Sequence, residues 1–335
     1  MAKASREVRF GIVSTAMIAT KVCGGMHQAK NATPAAVASR KLAKAKAWAK
    51  KHKVPRAFGS YEEMLEDPDI DAVYIALPPS MHYEWTIKAA EHGKHVLCEK
   101  PLAMNHAQAV EMADACRQHN VQLMDGVFWV HHARAHHLRK TLESGVLGKT
   151  RRITSAFTFC WDKVPKDNIR VRPELGGGSV GDLGWYCVRV THFAYRQLPQ
   201  RVFATARYYN DVDFNLSATL WYPDDKMASF DCGFDTVMRQ WVEFAGSKNT
   251  VVCEDFVLPV SDKEASYYTH DGTGKKGKRY TIKNCVQQTA MVEDFAKIVL
   301  SGKLDPKWTE ESLATQKVVD AIARSARTET IVELE

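Results

Sequence analysis

A regular alternation of short apolar runs with helical segments, over roughly the first 125 residues, constrains the fold more than any other feature. The apolar runs that predict strands lie at 8–13, 35–39, 72–77, 95–98 and 121–124. The predicted helices lie at 16–30, 42–51, 81–92 and 106–119, and Ser60 with Glu63 fits a capping box that starts a further short helix. Strands and helices that alternate at this spacing form βαβ units around a parallel sheet. We therefore expect a Rossmann, or doubly wound dinucleotide-binding, domain.

The pattern changes after about residue 150, where strands follow one another without intervening helices. Strands are predicted at 152–159, 202–209, 216–222 and 227–234, with a hairpin at 241–244 and 250–252. Helices at 288–300 and 310–327 and an edge strand at 330–334 close the chain. The expected fold is an α/β Rossmann domain at 1–127 plus an α+β domain at 128–335 with an open antiparallel sheet. The last helix is expected either to stay with the second domain or to pack back on the first.

Composition narrows the class of protein further. The chain has 335 residues with 45% hydrophobic and 25% charged residues, which is typical of a soluble globular protein. No run of about 18 apolar residues predicts a membrane span, and a targeting segment upstream remains an open question. Eight scattered cysteines without a C-x-x-C pair argue against structural zinc and a disulfide scaffold, and favour a reducing, cytoplasmic compartment.

The net charge of +7 is modest and favours anionic small ligands such as phosphates. The basic residues are dispersed, apart from one short cluster formed by Lys275, Lys276, Lys278 and Arg279. That cluster follows a Gly-containing turn and is most simply a solvated loop. A nucleic-acid surface is normally larger and interleaved with aromatic residues, so no nucleic-acid partner is expected.

The first strand-to-helix turn reads Ser14-Thr15-Ala16-Met17-Ile18-Ala19, where a dinucleotide fingerprint reads G-x-G-x-x-G/A. Serine and alanine replace the first two glycines, and alanine is allowed at the third position. Small side chains still let the backbone approach a pyrophosphate, and the helix start offers free N–H donors. A tight turn that binds no ligand explains this stretch equally well by itself.

The residues that follow the second strand indicate which nicotinamide cofactor is bound. NAD-binding proteins carry an Asp or Glu there, which holds the ribose 2′-hydroxyl. This chain has Ser39-Arg40-Lys41, with Lys44 one helical turn later. A serine hydroxyl and a guanidinium bind a 2′-phosphate, whereas a carboxylate repels it. The expected cofactor is NADP; the alternative is a basic helix start without a ligand, although cations there oppose the helix dipole.

Glu99-Lys100-Pro101 stands at the end of the predicted strand 95–98, where open α/β sheets bind their ligands. Lys100 is therefore expected to point towards the nicotinamide, and Pro101 to stiffen the turn through a peptide bond that is either cis or trans. Taken alone, a surface lysine is more often structural than catalytic.

A glycine-rich segment, Gly176-Gly177-Gly178, precedes a predicted helix that carries Asp182 and Tyr186. Three glycines allow the backbone to approach a ligand closely. Asp182 and Tyr186 are four residues apart and share one helix face. A tyrosine near a lysine cation has a lowered pKa and can act as a general acid or base. The alternative is a buried, hydrogen-bonded tyrosine that caps a loop.

These motifs occur in an order that resembles one family. Glu99-Lys100-Pro101, the glycine segment with Asp182 and Tyr186, and the loop 77–82 together are similar to the glucose–fructose oxidoreductase / inositol dehydrogenase (Gfo/Idh/MocA) family. The resemblance covers essentially the whole chain. It is greatest to the dimeric dihydrodiol dehydrogenase and NADP-dependent D-xylose 1-dehydrogenase branch with its plant and cyanobacterial relatives, through Phe128-Trp129, Asn168-Ile169-Arg170 and Trp185-Tyr186-Cys187.

The resemblance implies a Rossmann domain, a second domain whose open sheet often forms a homodimer interface, and hydride transfer between NADP and a carbinol carbon of a sugar or cyclic diol. By the same resemblance, Lys100 and Tyr186 are the catalytic pair and Asp182 orients the substrate. Further cofactor contacts are assigned to Leu77, Pro78, His82 and Glu99, in addition to Ser14, Thr15, Ala16, Met17, Ile18, Ser39, Arg40, Lys44 and Lys100. Trp129 is expected to stack on a sugar ring, and Arg134 and Arg170 to bind substrate hydroxyls or a carboxylate. A buried aromatic ring and surface ion pairs are the simpler explanations for these last three.

Two other functions stay open on the same fold. One is a redox-neutral elimination or epimerisation that uses the nicotinamide transiently, and the other is a non-catalytic NADP-binding sensor. Four neighbouring histidines, His131, His132, His136 and His137, have no accompanying carboxylate in a metal-binding motif, so no metal site is expected. Cys98 and Cys187 are interpreted as small apolar fillers.

Overall fold

The computed structural model describes residues 6–273 and 277–334, so Lys275 and Lys276 lie outside the described residues. The chain divides into two compact units. The first contains residues up to His131 together with Val286–Leu313, and the second contains His132–Cys285 together with the residues from Ala314 onwards. The division at 131/132 falls four residues after the boundary expected at 127/128.

The first unit is built on a six-stranded parallel sheet with the strand order β3-β2-β1-β4-β5-β6. This order is that of the doubly wound dinucleotide-binding fold, in which ligands bind beyond the carboxyl ends of the strands. The strands are β1 Val8–Val13, β2 Ala32–Ala38, β3 Arg56–Phe58, β4 Ala72–Ile75, β5 His95–Cys98 and β6 Leu123–Asp125.

The helices of the first unit alternate with these mostly buried strands, as in parallel sheets that have helices on both faces. They are α1 Met17–Gln28, α2 Leu42–His52, α3 Tyr61–Leu65, α4 His82–Glu91, α5 His106–Gln118 and, late in the chain, α8 Gln287–Ser301. Short 3-10 helices occupy Pro79–Met81 and Phe128–His131. The predicted N-cap of α3 is confirmed, because the Ser60 hydroxyl accepts the Glu63 N–H at 3.1 Å.

The second unit is built on a ten-stranded mixed sheet that is mostly antiparallel. Nine strands follow the order β15-β14-β13-β12-β7-β10-β9-β8-β16, and β11 pairs with β7 beside this path. The strands are β7 Thr150–Cys160, β8 Arg201–Tyr209, β9 Val212–Tyr222, β10 Lys226–Gly233, β11 Asp235–Arg239, β12 Val242–Gly246, β13 Thr250–Cys253, β14 Glu264–His270, β15 Arg279–Lys283 and β16 Val332–Glu333.

The remaining helices are α6 Ala133–Glu143, α7 Trp185–Tyr195 and α9 Pro306–Thr328, with 3-10 turns at Ile169–Val171 and Pro173–Leu175 and a π-helical turn at Val180–Gly184. In α9, residues 306–313 belong to the first unit and the rest to the second. No helix in the described ranges 6–273 and 277–334 combines the length and apolar character that a membrane span requires.

Two features of the sheet in the second unit differ from the sequence-based expectation. Strands β11, β14 and β15 were not predicted, although Ala265, Tyr267 and Thr269 of β14 alternate as buried residues. Strand β7 runs parallel to β10, inside a sheet that was expected to be antiparallel. Helix α9 begins at Pro306, four residues before the expected start, so Thr309 lies inside the helix and donates its hydroxyl to the Leu123 carbonyl at 2.8 Å.

Candidate active site

The turn after β1 is held by Ser14, which has a φ of 98°. This left-handed region is easily reached by glycine but is costly for serine, and it is the reason why glycine is usual at this position. The Ser14 N–H donates to the Ala38 carbonyl at 3.1 Å, and its hydroxyl accepts the Ala16 N–H at 3.2 Å. The serine side chain thereby stabilises a turn conformation that glycine adopts more easily.

The start of α1 is open to a negatively charged ligand. Met17, its first residue, is 84% exposed, and the first turn Met17-Ile18-Ala19-Thr20 contains no carboxylate. Thr15, Ala16 and Ile18 are half-buried beside it. Free N–H groups and the helix dipole at such an end favour a phosphate, so these residues fit the pyrophosphate role that was assigned to them.

The carboxyl end of β2 places a small hydroxyl beside two cations. Ser39 is 7% exposed and is fixed by its N–H, which donates to the Phe58 carbonyl at 3.3 Å. Arg40 and Lys44 are exposed. Burial raises the pKa of the Tyr61 phenol, while the charge of Arg40 and a side-chain hydrogen bond with Arg40 oppose the shift. Tyr61 therefore lies against the guanidinium, and the group of donors fits a phosphate better than a neutral hydroxyl.

Glu99, at the end of β5, is a buried carboxylate with dedicated donors. The Tyr74 hydroxyl donates to its Oε1 at 2.5 Å, and the Lys100 N–H donates to its Oε2 at 3.3 Å. Burial raises the pKa of Glu99, while the charge of Lys100 and the Tyr74 hydroxyl oppose the shift. Gly126 lies so close that a Cβ on it would be 2.9 Å from Oε1. Glu99 is thus enclosed by protein groups and fits a supporting role beside Lys100.

His82 was predicted to bind the cofactor, and the structure shows its ring enclosed by backbone groups. Its ring is fully buried, with Nε2 at 2.9 Å from the Leu77 carbonyl and Nδ1 at 2.9 Å from the Pro101 carbonyl. Burial lowers the pKa of His82, and the nearby Lys100 charge lowers it further against the effect of the carbonyls. Because both ring nitrogens face backbone oxygens, His82 links the loop after β4 to the loop after β5 instead of reaching a ligand.

Lys100 is half-buried at the carboxyl end of β5, and its peptide bond to Pro101 is cis. Its charge affects both Glu99 and His82, which places the ammonium in the same corner of the first unit as these two groups. Leu77 and Pro78, predicted to contact the cofactor, line the adjacent loop after β4, with Leu77 8% exposed and Pro78 half-buried.

Two predicted substrate residues are enclosed by the protein. Trp129 is 3% exposed and leaves no ring face for a sugar to cover. Arg134 is also 3% exposed, and its guanidinium donates to the carboxylate of Asp255 and to the carbonyls of Asp255 and Phe256. Its donors are therefore used by β-strand connections in the second unit, and we leave both residues out of the proposed substrate site.

Steric contacts within the second unit explain why glycines occupy residues 177 and 178. Gly178 has a φ of 124°, and a Cβ there would lie 2.3 Å from Oδ1 of Asp213. A Cβ on Gly177 would lie 2.7 Å from the carbonyl oxygen of Arg170. The glycines thus let this loop pack against β9 and against the turn that carries Arg170, which is protein contact rather than ligand contact.

The helix after the glycines begins with the π-helical turn Val180–Gly184 and continues as α7. Asp182 lies in the π turn, where its Oδ2 accepts the Arg170 Nε hydrogen at 2.5 Å. The Arg170 guanidinium also lies 5.8 Å from the ring of Phe159, whose ring is 5.0 Å from that of Trp161. Two predicted substrate residues, Arg170 and Asp182, are therefore brought together beside aromatic rings.

Tyr186 is the second residue of α7 and is 7% exposed. Its ring meets the edge of Phe157 at 5.4 Å with an interplanar angle of 79°, which fixes the ring plane. Tyr186 belongs to the second unit, whereas Lys100 belongs to the first. Cys187, the next residue, is buried, and burial raises its pKa to about 12, so this thiol is a filler and not a nucleophile.

Three of the four neighbouring histidines bind protein groups. His131 Nδ1 is 2.8 Å from Asp294, His132 Nε2 is 3.0 Å from the Cys285 carbonyl, and His137 Nδ1 is 2.6 Å from the Tyr267 hydroxyl. Within the part of the chain that the structure describes, no three His, Cys, Asp or Glu side chains are grouped in a way that could hold a metal ion.

A parallel sheet in the order 3-2-1-4-5-6 and a second unit with a mixed sheet define a two-part protein of the Rossmann type. Two family models match this chain: "Oxidoreductase family, NAD-binding Rossmann fold" at residues 8–127 and "GFO/IDH/MocA C-terminal domain" at residues 135–252. The chain belongs to the Gfo/Idh/MocA oxidoreductase family, as its motifs predicted.

Two named relatives carry the activities of the expected branch, and a solved structure of a ketoreductase shares the fold. The chain is 35% identical over 332 residues to D-xylose 1-dehydrogenase (NADP(+)) 2 of Haloferax volcanii, covering 97% of this chain and 99% of the relative. It is 30% identical over 302 residues to trans-1,2-dihydrobenzene-1,2-diol dehydrogenase of Sus scrofa, covering 84% and 89%. The structure of the 3-ketoreductase KijD10 from Actinomadura kijaniata, in complex with NADP and TDP-benzene, has a TM-score of 0.89 at 27% identity, covering 96% and 98%.

Sequence reasoning did not identify two residues that support the candidate site. Tyr74, the donor to Glu99, stands in the middle of β4, where its hydroxyl is the only polar group in an apolar run and could have signalled a buried partner. Asp213, which contacts the start of the helix that carries Tyr186, lies more than 30 residues away along the chain, and nothing in its local pattern marks it.

Proposed function

We propose that the protein is an NADP-dependent oxidoreductase that transfers hydride between the nicotinamide and a carbinol carbon of a sugar or cyclic diol. The observation that carries the proposal is Lys100, a half-buried cation at the carboxyl end of β5 that stands beside the buried Glu99. The relatives support the reaction class, since they include a D-xylose dehydrogenase with NADP(+), a diol dehydrogenase and a ketoreductase whose structure contains NADP.

The first unit supplies the groups that would hold NADP. The turn at Ser14, Thr15 and Ala16 and the α1 start at Met17 and Ile18 suit the pyrophosphate. Ser39, Arg40 and Lys44 suit the 2′-phosphate, and Leu77, Pro78, Glu99 and Lys100 border the carboxyl ends of β4 and β5. When bound, the nicotinamide supplies or accepts a hydride at its C4.

We assign to Lys100 and Tyr186 the proton transfer that accompanies hydride transfer. During oxidation, the Tyr186 phenolate accepts the proton of the substrate hydroxyl as the carbinol C–H bond transfers its electron pair. By the family resemblance, the Lys100 ammonium is assigned the role of favouring the phenolate over the phenol. During reduction the same phenol returns the proton to the developing alkoxide. The two residues come from different units, so the proposal requires both units for turnover.

The substrate class follows from Arg170 and Asp182. Their ion pair, with 36% and 14% of the side-chain surfaces exposed, presents donors and acceptors that are fixed in advance, which suits vicinal hydroxyl groups. Phe159 and the half-buried Trp161 offer aromatic surface beside it. Sugars and cyclic diols combine hydroxyl groups with an apolar C–H face, and such a site matches both.

A spectroscopic assay tests this proposal. The purified protein is incubated with NADP and a panel of aldoses and cyclic diols, and absorbance at 340 nm is followed. Net NADPH formation with at least one compound supports a dehydrogenase. Substrate conversion without NADPH, followed by chromatography, would instead favour a redox-neutral epimerisation or elimination. Tight NADP binding with no conversion of any compound would favour the sensor.

We also propose that the protein forms a homodimer through the sheet of the second unit. The proposed compartment is the cytoplasm. Val237 and Met238 of β11 are 71% and 55% exposed, and Val260, in the loop before β14, is 89% exposed, so these apolar side chains are available for a partner to cover. The eight cysteines are all free thiols, which suits a reducing compartment. Light scattering of the wild type against Met238→Asp and Val260→Asp variants tests the dimer, which the two charges should dissociate.

A further inference from the structure

Asp213 is a buried carboxylate that meets the start of the helix on which Asp182 and Tyr186 stand. The Ser179 hydroxyl and the Val180 N–H both donate to its Oδ2 at 2.7 Å. Asp213 lies on β9, 33 residues beyond Val180, so the contact joins this helix to a distant strand. The first N–H groups of a helix have no partner within the helix, and a π turn adds to their number because its bonds span five residues.

The loop before this helix is shaped around the Asp213 carboxylate. Gly178 has no side chain because a Cβ there would lie 2.3 Å from Oδ1 of Asp213. The Ser179 hydroxyl also lies 3.5 Å from the Cys232 sulfur and from the Cys232 carbonyl, which closes the pocket on the side of β10. A negative charge at this point also stabilises the positive end of the helix dipole.

We propose that Asp213 is a positioning residue for Tyr186: its ionised carboxylate holds the π-helical turn that precedes α7, and its protonation loosens that turn and lowers turnover. Tyr186 follows Val180 by six residues, and its ring has a fixed orientation against Phe157. A shift of the first turn therefore moves the phenol away from its working position. The catalytic part of this inference rests on the proposed function; the structural part does not.

The charge of this cap changes within an accessible pH range. Burial raises the pKa of Asp213 to about 6, although hydrogen bonds from Ser179 and Val180 and from backbone N–H groups favour the charged form. The ionisable groups that face it from neighbouring elements are the Cys232 thiol on β10, the Tyr208 phenol on β8 and the Arg327 guanidinium on α9. Cys232 and Tyr208 have raised pKa values and stay neutral at pH 5–7, and Arg327 stays charged, so Asp213 is the member of this set that titrates there.

The test uses Asp213→Asn, which keeps an oxygen acceptor but has no charge to lose. Hydrogen exchange of peptides that cover residues 178–188 is measured from pH 5 to pH 7.5 and corrected for the intrinsic pH dependence. In the wild type, protection should fall about tenfold as the pH drops through 6, since hydrogen bonds to charged groups are the stronger ones. In Asp213→Asn, protection should be lower at pH 7.5 and should change less than about threefold over the range.

Two further variants separate this effect from general destabilisation. Ser179→Ala removes a donor that favours the charged carboxylate, so the drop in protection should move to higher pH. Asp231→Asn, which removes a half-buried carboxylate that pairs with Arg239 on the same sheet, should behave as the wild type. Protection that is independent of pH in the wild type, or an unchanged drop in Asp213→Asn, would overturn the proposal.

The activity measurement then tests the link to Tyr186. With a substrate identified, wild-type kcat should decline below pH 6 while the KM for NADP stays constant. In Asp213→Asn this acid limb should disappear and kcat should be about tenfold lower at pH 7.5. If no substrate is turned over, hydrogen exchange still decides the structural part, so failure of the proposed function is distinguishable. A titrating turn with an unchanged kcat profile would overturn the positioning role.

Discussion

The Tyr74 hydroxyl donates to the Glu99 carboxylate at 2.5 Å inside the first sheet, one residue before Lys100. Tyr74 and Glu99 are 0% and 7% exposed, so this bond lies in a region where water cannot replace it. It connects the middle of β4 to the end of β5 and fixes the carboxylate that also accepts the Lys100 N–H. The placement of Lys100 therefore depends on a hydrogen bond made inside the core of the sheet.

Replacing Tyr74 by Phe should leave Glu99 without its strongest donor. We expect a loss of about 1–3 kcal/mol in the free energy of unfolding, because a buried acceptor becomes unsatisfied. The matched control is Tyr83→Phe, since the Tyr83 hydroxyl donates to Glu111 in an exposed pair, and its cost should be clearly smaller. Urea unfolding measures both variants. Equal costs for the two would show that the Tyr74–Glu99 bond has no special weight.

Removing the His82 ring should separate two loops of the proposed cofactor site. His82→Ala loses two contacts to backbone carbonyls and leaves a cavity, so we expect a loss of about 2–4 kcal/mol and a higher KM for NADP. His92, exposed at the end of the same helix, is the control, and His92→Ala should change stability by less than about 0.5 kcal/mol. Thermal unfolding measures both variants. Equal melting temperatures for the two would contradict the role of His82.

Charge at the end of β2 should decide between NADP and NAD. Arg40→Ser is expected to raise the KM for NADP by about tenfold to a hundredfold and to leave the KM for NAD nearly unchanged, because a charge-assisted bond to the 2′-phosphate is lost. Lys50→Ser, which removes an exposed cation late in α2, is the control and should change neither value. Parallel titrations with both cofactors measure these KM values. An increase of equal size for NAD and NADP in Arg40→Ser would exclude 2′-phosphate recognition by Arg40.

Adding one methyl group to the glycine segment should test its steric role. Gly178→Ala brings a Cβ to 2.3 Å from the Asp213 carboxylate at a φ of 124°, so we expect strain and overpacking to cost about 2–4 kcal/mol. Gly93→Ala has a positive φ of 69° and nothing within 4 Å of the new Cβ, so it isolates the backbone cost of about 1 kcal/mol. Denaturant unfolding that gives the same loss for both would mean that the contact with Asp213 is loose.

The fold was largely predictable because its strongest signals are local. The apolar run of β4 between Asp71 and Pro78 and the helices that alternate with such runs define the parallel sheet without any knowledge of contacts. Strands β14 and β15 were missed for a physical reason. They lie at one edge of their sheet and carry charged residues such as Glu264, Arg279 and Lys283 on an exposed face, which weakens the apolar signal.

The candidate site was less predictable, because residue type does not show which atoms a side chain meets. Arg134 has the chemistry of a substrate ligand, yet Asp255, 121 residues away, occupies its guanidinium. His82 has the chemistry of a cofactor ligand, yet two carbonyls occupy its nitrogens. Arg170 and Asp182, only 12 residues apart and flanking a glycine-rich turn, could be paired from the sequence far more readily.

The most direct test of the account is the formation of NADPH at 340 nm by the wild type and by Lys100→Met and Tyr186→Phe, with Lys50→Met as an exposed control. Each of the first two variants should lower kcat about 10²–10⁴-fold while NADP still binds. In the double variant, the loss should be smaller than the product of the two single losses. The control should match the wild type. Wild-type turnover in either catalytic variant would contradict the claim that Lys100 and Tyr186 act together in one reaction.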